Sequence, residues 1–298
     1  MNKNISGNKK NSGKSPPASI SLATDLSARC DRALERAVQL TREWQPKLIA
    51  LNVIDVPDTP DQILTWVDNK PDDSALHIAA KQMARDISDS GITVSMQVIS
   101  STDIAATIQQ TALNTASTMI MTDMARNEIL GRFLPGSTVT HLARSVSIPI
   151  LVVCNRVHSP YQRILVATDF SNHSQEALQL TSSWFPERTL TVSHAHETPF
   201  SGLSSKQLEI NSHLKQREFA DFIKNSNLPA DIYIKPVIEL GMLAPVLTQY
   251  VRDHDIDLVV TSANRNRGLI GNILGSNVSA LLDWLPCDTL LVPCTTVP

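Results

Sequence analysis

The sequence lacks the features that mark several common classes of protein. No apolar run approaches the roughly 20 residues that a membrane-spanning helix needs. The net charge is only −3, which does not favour nucleic acid or an anionic membrane surface as an obligatory partner. The GxSxG, Walker A and Rossmann GxGxxG motifs are all missing. We therefore predict no catalytic residues from the sequence.

Cysteine is scarce, and the four cysteines do not form a metal-binding or redox motif. None belongs to a CxxC pair, and no cluster of cysteine and histidine has the spacing of a zinc site. The first 17 residues are polar and carry no apolar core of a secretory signal, so we expect a disordered tail over residues 1–18. We accordingly expect reduced thiols, a cytoplasmic location and no bound structural metal.

What the sequence does contain is a regular alternation of strand-like and helix-like patterns. The strand-like segments of the first half are 19–25, 47–54, 93–100, 118–121 and 148–153. Segments with helical spacing of apolar residues lie between them, at 30–38, 74–90, 103–116 and 137–145. This alternation predicts an α/β fold, with a five-stranded parallel open sheet and helices on both faces.

The same order of segments then occurs a second time. Residues 19–25 are matched by 163–169, and the dipeptide Gly136-Ser137 is matched by Gly275-Ser276, 139 residues later (275 − 136 = 139). Units of this length predict two packed domains rather than a solenoid, whose repeats are shorter and more numerous. We place the domains at 19–155 and 163–298, with a linker at 156–162.

Each Gly-Ser dipeptide precedes a helix and lies where ligands bind in open parallel sheets, beyond the carboxyl ends of the strands. A helix start offers free N–H groups and a positive dipole end, which suits a phosphate. Arg126 and Arg265 could pair with its oxygens. Gly-Ser could equally be a simple turn and cap, and both arginines could be solvated.

Two further pairs of residues have similar alternatives. Asp25 and Asp169 end the first strand of each half, where they could meet a ligand or only cap the loop. His194 and His196 share one face of a strand. A metal site there would need another ligand, and the sequence offers no clear one, so we interpret both histidines as ordinary strand residues.

Several short motifs resemble one known family in both halves. The strand ending ATD occurs at 23–25 and 167–169, NVID at 52–55, IPILVV at 148–153 and RGLIGNILGS at 267–276. Nearly everything from Ser19 to Thr295 is similar to tandem universal stress protein (UspA-type) domains. The resemblance implies the adenine nucleotide alpha hydrolase-like fold, with the two domains pairing through their last strands, 148–153 and 289–292, and with a homodimer as a further possibility.

The resemblance also implies an ATP site in each half, with magnesium entering only with ATP. Asp25 and Asp169 would meet the adenine, and Val53 and Ala195 would offer it backbone contacts. The residues that would hold phosphates are Gly136, Ser137 and Thr138 in the first half and Gly275, Ser276 and Asn277 in the second.

The glycine pattern of the family, G-x2-G-x9-G followed by Ser or Thr, is incomplete here. Arg126 and Arg265 occupy the second glycine position, while Asp123 and Ser262 occupy the first. Because Asp123 would repel phosphate, we predict that the second half holds the better site. The implied function is a cytoplasmic, nucleotide-binding stress-response module. The alternatives are a slow ATPase, or a degenerate site that binds another small ligand or none.

Overall fold

The computed structural model describes residues 15–27, 31–55, 73–88, 90–124, 136–197, 205–263, 265–268, 271–274 and 276–293. The elements of the first half are β1 (Ser19–Thr24), α1 (Asp31–Trp44), β2 (Lys47–Asp55), α2 (Asp73–Ser88), β3 (Val94–Ser101), α3 (Ile104–Asn114), β4 (Met119–Asp123), α4 (Ser137–Ser145) and β5 (Ile150–Val153). Those of the second half are β6 (Ile164–Ala167), α5 (Asn172–Trp184), β7 (Leu190–His196), α6 (Ser205–Asn225), β8 (Ile234–Leu240), α7 (Leu243–Asp253), β9 (Leu258–Ala263), β10 (Arg265–Gly268), β11 (Gly271–Leu274), α8 (Ser276–Trp284) and β12 (Asp288–Pro293).

Ten of these strands form one continuous sheet in the order β3-β2-β1-β4-β5-β12-β9-β6-β7-β8. All neighbours within each half are parallel, whereas β5 and β12 meet in antiparallel register, with Val152 opposite Thr289 and Ile150 opposite Leu291. The predicted α/β fold with two five-stranded parallel halves is confirmed, and so is the predicted pairing of the two last strands.

Helices cover both faces of this sheet because each presents one apolar side. On one face, Ala33, Ala37 and Leu40 of α1 are buried against β1 and β4 with the buried residues of α5 and α6. On the other face, buried residues of α3, α4, α7 and α8 pack against the opposite sides of the strands. Strands that are buried on both sides require near-continuous apolar sequence, as in the fully buried ILVV of β5.

The hairpin of β10 and β11 is a feature that the sequence reading did not predict. The family resemblance places Arg265 at a glycine position of the phosphate-binding pattern, but Arg265 pairs with Leu274 and Gly268 with Gly271 in a two-stranded antiparallel sheet. The hairpin contacts α4 of the other half through β11.

The predicted tail over 1–18 lies outside the described residues as far as residue 14, and so do Cys30 and Cys294. None of the helices in the described ranges is long and apolar enough to cross a membrane.

Aromatic side chains close the boundary between the halves on the face of α1 and α5. Trp44 contacts Trp184 and Phe185, with ring centroids 5.6 and 5.4 Å apart. Tyr161, from the segment predicted as a linker, contacts Phe185 edge-on at 6.1 Å. Such pairs contribute about 0.5–1.5 kcal/mol each beyond the area that they bury.

A buried carboxylate completes this boundary. Asp288, at the start of β12, is fully buried and accepts hydrogen bonds from the backbone N–H groups of Cys154 and Asn155, at 2.8 and 3.0 Å, and from the Tyr161 hydroxyl, at 2.5 Å. The Nε of Arg36 lies 3.3 Å from the same carboxylate, and its guanidinium stacks 3.9 Å from the Tyr161 ring. Burial raises the pKa of Asp288, and the charge of Arg36 and the hydrogen bonds act in the opposite direction.

We predict that Asp288→Ala destabilises the chain by about 3–5 kcal/mol, because it leaves the buried charge of Arg36 without its partner. Urea unfolding of the full chain measures this loss. Asp221→Ala, which removes an exposed carboxylate of α6, is the matched control and should change stability by less than about 0.5 kcal/mol. A loss below about 1 kcal/mol for Asp288→Ala would show that the network does not hold the halves together.

Candidate functional site

A crevice opens in the first half at the carboxyl ends of β1, β2 and β4, between α3 and α4. It encloses about 250 Å³ and is lined by Ala23, Thr24, Asp25, Leu51, Val53, Ile104, Ile108, Thr122, Asp123, Gly136, Thr138 and Val139. The structure therefore brings together four residues to which the family resemblance assigns ligand contacts, namely Asp25, Val53, Gly136 and Thr138. Parallel strands place their ends at one edge of the sheet, which is why residues so distant in sequence meet here.

Asp25 is held at the mouth of this crevice by a tight turn. Its Oδ1 accepts the N–H of Ser27 at 2.8 Å, while Thr24 Oγ1 accepts the N–H of Leu26 at 3.1 Å. Leu26 has a φ of 58°, in the left-handed region that such turns require. Asp25 thus caps its loop, as one of the sequence alternatives proposed, and the turn also fixes its carboxylate beside the crevice.

The second half repeats this turn almost bond for bond. Asp169 Oδ1 accepts the N–H of Ser171 at 3.0 Å, Thr168 Oγ1 accepts the N–H of Phe170 at 2.9 Å, and Phe170 has a φ of 63°. Burial raises the pKa of Asp169, but hydrogen bonds from Ser171 and Ser174 outweigh it and leave that pKa below its usual value. Asp169 therefore stays ionised near neutral pH.

The start of α4 forms one wall of the first crevice. Gly136 is the N-cap residue and offers no side-chain acceptor to the first turn of the helix. Thr138 is half-buried in the crevice, whereas Ser137 is exposed and is not among the lining residues. Free N–H groups and the positive end of the helix dipole favour an anion at such a position.

The opposite wall is apolar, and it was missed by the sequence reading. Ile104 and Ile108 of α3 face the crevice across from Leu51. Their spacing of four residues predicts a shared helix face, but a pattern of that kind does not distinguish a crevice wall from a core. Together the walls combine an apolar surface with a polar helix start, which is an arrangement that suits a flat heterocycle bearing an anionic group.

Asp123 opposes that arrangement in the first half. It ends β4, is 9% exposed and lines the crevice. A second carboxylate, from Asp25, lies in the same lining. Their charges would repel an anionic ligand, and more strongly than in water because the site is partly enclosed.

The predicted residues of the second half lie at the corresponding edge of the sheet. Ala195 is half-buried near the end of β7, and Ser262 is half-buried on β9 where the first half has Asp123. Ser276 begins α8, and Asn277 is exposed in its first turn. The backbone of Arg265 opens the β10–β11 hairpin. Gly275 and, in the first half, Arg126 lie outside the described residues.

The two strand histidines point to the face of the sheet opposite the crevice. The His194 ring stacks on Phe170, with ring centroids 4.0 Å apart. The His196 ring stacks on that of His194, with ring centroids 5.9 Å apart. Nδ1 of His194 lies 2.8 Å from the carbonyl oxygen of Thr168, so Nδ1 carries the proton. Burial lowers the pKa of His194, more than the bond to Thr168 raises it. Within the described ranges, no group of three or more His, Cys, Asp or Glu residues is placed to hold a metal.

Comparison with known proteins gives one family. The model of the universal stress protein family matches residues 18–153 and again residues 160–293. Among solved structures, a universal stress protein from Archaeoglobus fulgidus DSM 4304 is similar at a TM-score of 0.69 and 17% identity, covering 93% of this chain and 98% of its own. A functionally unknown protein from Pseudomonas aeruginosa PAO1 is similar at a TM-score of 0.65 and 17% identity, covering 93% and 92%. No curated protein matches. At these identities the structures establish the shared fold alone.

Replacement of His194 by asparagine tests the environment of the stacked ring. Asn52 occupies the equivalent place in the first half and donates to the Thr24 carbonyl at 2.9 Å, so His194→Asn retains the hydrogen bond but cannot titrate. Because the folded-state pKa of His194 is lowered, its stabilising effect is present above about pH 6.5 and is lost as pH falls through the folded value.

We therefore predict that the parent chain loses more stability than His194→Asn between pH 7.5 and pH 5, measured as urea midpoints at both pH values. His213→Asn, at an exposed site on α6, should follow the parent. Equal losses of stability in the parent and in His194→Asn would contradict a lowered pKa of His194 in the folded chain.

Proposed function

This chain belongs to the universal stress protein family, with two such domains in tandem, and we propose that it acts as a nucleotide-binding regulatory module with ATP as its ligand. The observation that carries the proposal is the crevice of the first half, where Asp25, Val53, Gly136 and Thr138 surround about 250 Å³ at the carboxyl ends of the strands. These are the residues to which the family resemblance assigns adenine and phosphate contacts.

The walls of the crevice suggest how a nucleotide would lie in it. The adenine would rest against Ile104 and Ile108, near the backbone of Val53 and the turn of Asp25. The phosphates would lie over the start of α4 at Gly136 and Thr138, where the helix dipole stabilises negative charge. At about 250 Å³ the described volume is slightly below the roughly 300–1,000 Å³ of most ligand pockets, so part of the triphosphate would extend into solvent.

We propose further that the second half binds ATP more tightly than the first. Asp123 contributes a carboxylate to the wall of the first crevice, whereas Ser262 contributes a hydroxyl at the equivalent place. A charge 4–6 Å from a phosphate contributes on the order of a few kcal/mol in a partly enclosed site, and the hydroxyl is a hydrogen-bond donor instead. Ser276 and Asn277 would hold the phosphates at the start of α8.

Magnesium would enter only with the triphosphate, whose oxygens supply most of its ligands. We also propose that the protein works in the cytoplasm, because the two cysteines in the described part of the chain, Cys154 and Cys287, are buried thiols that form no disulfide. A reducing compartment preserves thiols of this kind.

Exchanging the two equivalent residues tests the unequal affinities. Asp123→Ser should strengthen ATP binding to the first half about ten-fold, which corresponds to about 1.4 kcal/mol. Ser262→Asp should weaken binding to the second half by a similar factor. Isothermal calorimetry of the full chain measures both affinities and the stoichiometry.

Asp221→Ser is the matched control, since it removes an exposed carboxylate on α6 that does not line the described crevice, and should leave the affinities unchanged. If neither exchange alters the titration, the side chains at positions 123 and 262 do not influence ATP binding. The crevices then bind another ligand or none.

A further inference from the structure

A second concave site lies where the two halves meet, outside the crevice of the first half. It is a groove of about 520 Å³, bounded by the first turn of α1, the connecting segment 154–163 and the end of α7. Five arginines line it, Arg32, Arg36, Arg156, Arg163 and Arg252, together with His158. Among the described residues, two carboxylates, Asp255 and Asp257, share this lining. We call it the seam groove.

Two of these arginines are already neutralised. Arg36 is paired with the buried Asp288 at 3.3 Å. Arg163 lies 3.5 Å from Asp257, whose other oxygen accepts the backbone N–H groups of Gln162 and Arg163 at 2.9 and 2.8 Å. These contacts order the connecting segment. They also occupy both oxygens of the Asp257 carboxylate.

The other three arginines, Arg32, Arg156 and Arg252, have fewer carboxylates to balance their charge. Arg32 donates to the carbonyl oxygen of Cys154, at 3.0 Å, and no carboxylate of the described residues forms an ion pair with it. Arg156 and Arg252 are exposed, and no carboxylate of the described residues lies within ion-pair distance of either. Even if Asp255 balances one of them, the lining keeps two positive charges in excess, in a protein whose net charge is −3. Like charges that converge in this way repel one another unless an anion joins them.

We propose that the seam groove binds a small anion that carries two or more phosphate groups, held by Arg32, Arg156 and Arg252. Guanidinium groups bind phosphate through two parallel hydrogen bonds, and three of them suit a diphosphate better than a single phosphate. The volume of about 520 Å³ lies within the range of small-molecule pockets.

Such an anion would connect the two halves. Arg32 belongs to α1 of the first half and Arg252 to α7 of the second, while Arg156 lies in the segment that joins them. In the part of the chain that the structure describes, the groove and the crevice of the first half have no lining residue in common. Binding would therefore stabilise the seam without occupying the nucleotide site.

Calorimetric titration of the full chain with sodium pyrophosphate tests this proposal at fixed ionic strength. We expect one equivalent to bind, with affinity at least five-fold lower in Arg156→Ala and in Arg252→Ala, and no detectable binding in the double variant. Arg217→Ala, an exposed arginine of α6, is the control and should bind like the parent. Melting curves of the unliganded variants check that they fold, and pyrophosphate should raise the melting temperature of the parent but not of the double variant.

Three results would overturn the proposal. The first is the absence of a binding heat with the parent chain. The second is undiminished binding by the double variant, which would place the anion elsewhere, such as in a crevice. The third is equal affinity for sulfate and pyrophosphate, which would reduce the groove to a non-specific cationic surface.

Discussion

The antiparallel pairing of β5 with β12 is the constraint on which the rest of the molecule depends. It joins two parallel half-sheets into one sheet of ten strands and brings the connecting segment against the start of β12. There the buried carboxylate of Asp288 binds the backbone of residues 154 and 155, the Tyr161 hydroxyl and Arg36. A buried charge is tolerated only when its hydrogen bonds are complete, so this network specifies one arrangement of the halves. The seam groove is a direct consequence, since its arginines converge only when the halves are joined in this way.

Duplication has kept the backbone of the ligand-binding edge and changed its chemistry. The turns at Asp25 and Asp169 use the same two hydrogen bonds and the same left-handed residue. Asp123 has Ser262 as its counterpart, and Asn52 has His194. The difference between Asp123 and Ser262 changes the charge at the ligand-binding edge. The difference between Asn52 and His194 introduces a titratable ring on the opposite face of the sheet. Two similar scaffolds can in this way bind one ligand with different affinities.

The sequence predicted those features that depend on local periodicity and on repetition. Strand and helix order, the duplication and the meeting of Asp25 with Gly136 follow from these patterns, whereas the pairing of the last strands is implied by the resemblance to universal stress proteins. The Asp288 network did not, because it joins residues separated by more than 120 positions and a lone Asp, Tyr or Arg carries no pattern. The hairpin of β10 and β11 was missed because the family resemblance assigns Arg265 and Gly275 to the glycine pattern of a phosphate-binding loop. Ile104 and Ile108 were missed as crevice residues because a wall and a core have the same helical spacing.

The central claim is that the chain binds a nucleotide at two unequal sites. Native mass spectrometry of the purified, intact chain tests it most directly, because each bound nucleotide adds its own mass. The account predicts a species with one ATP at low ligand concentration and a second ATP only at about ten-fold higher concentration. An unliganded chain at every ATP concentration, or two equivalents that bind together, would contradict it.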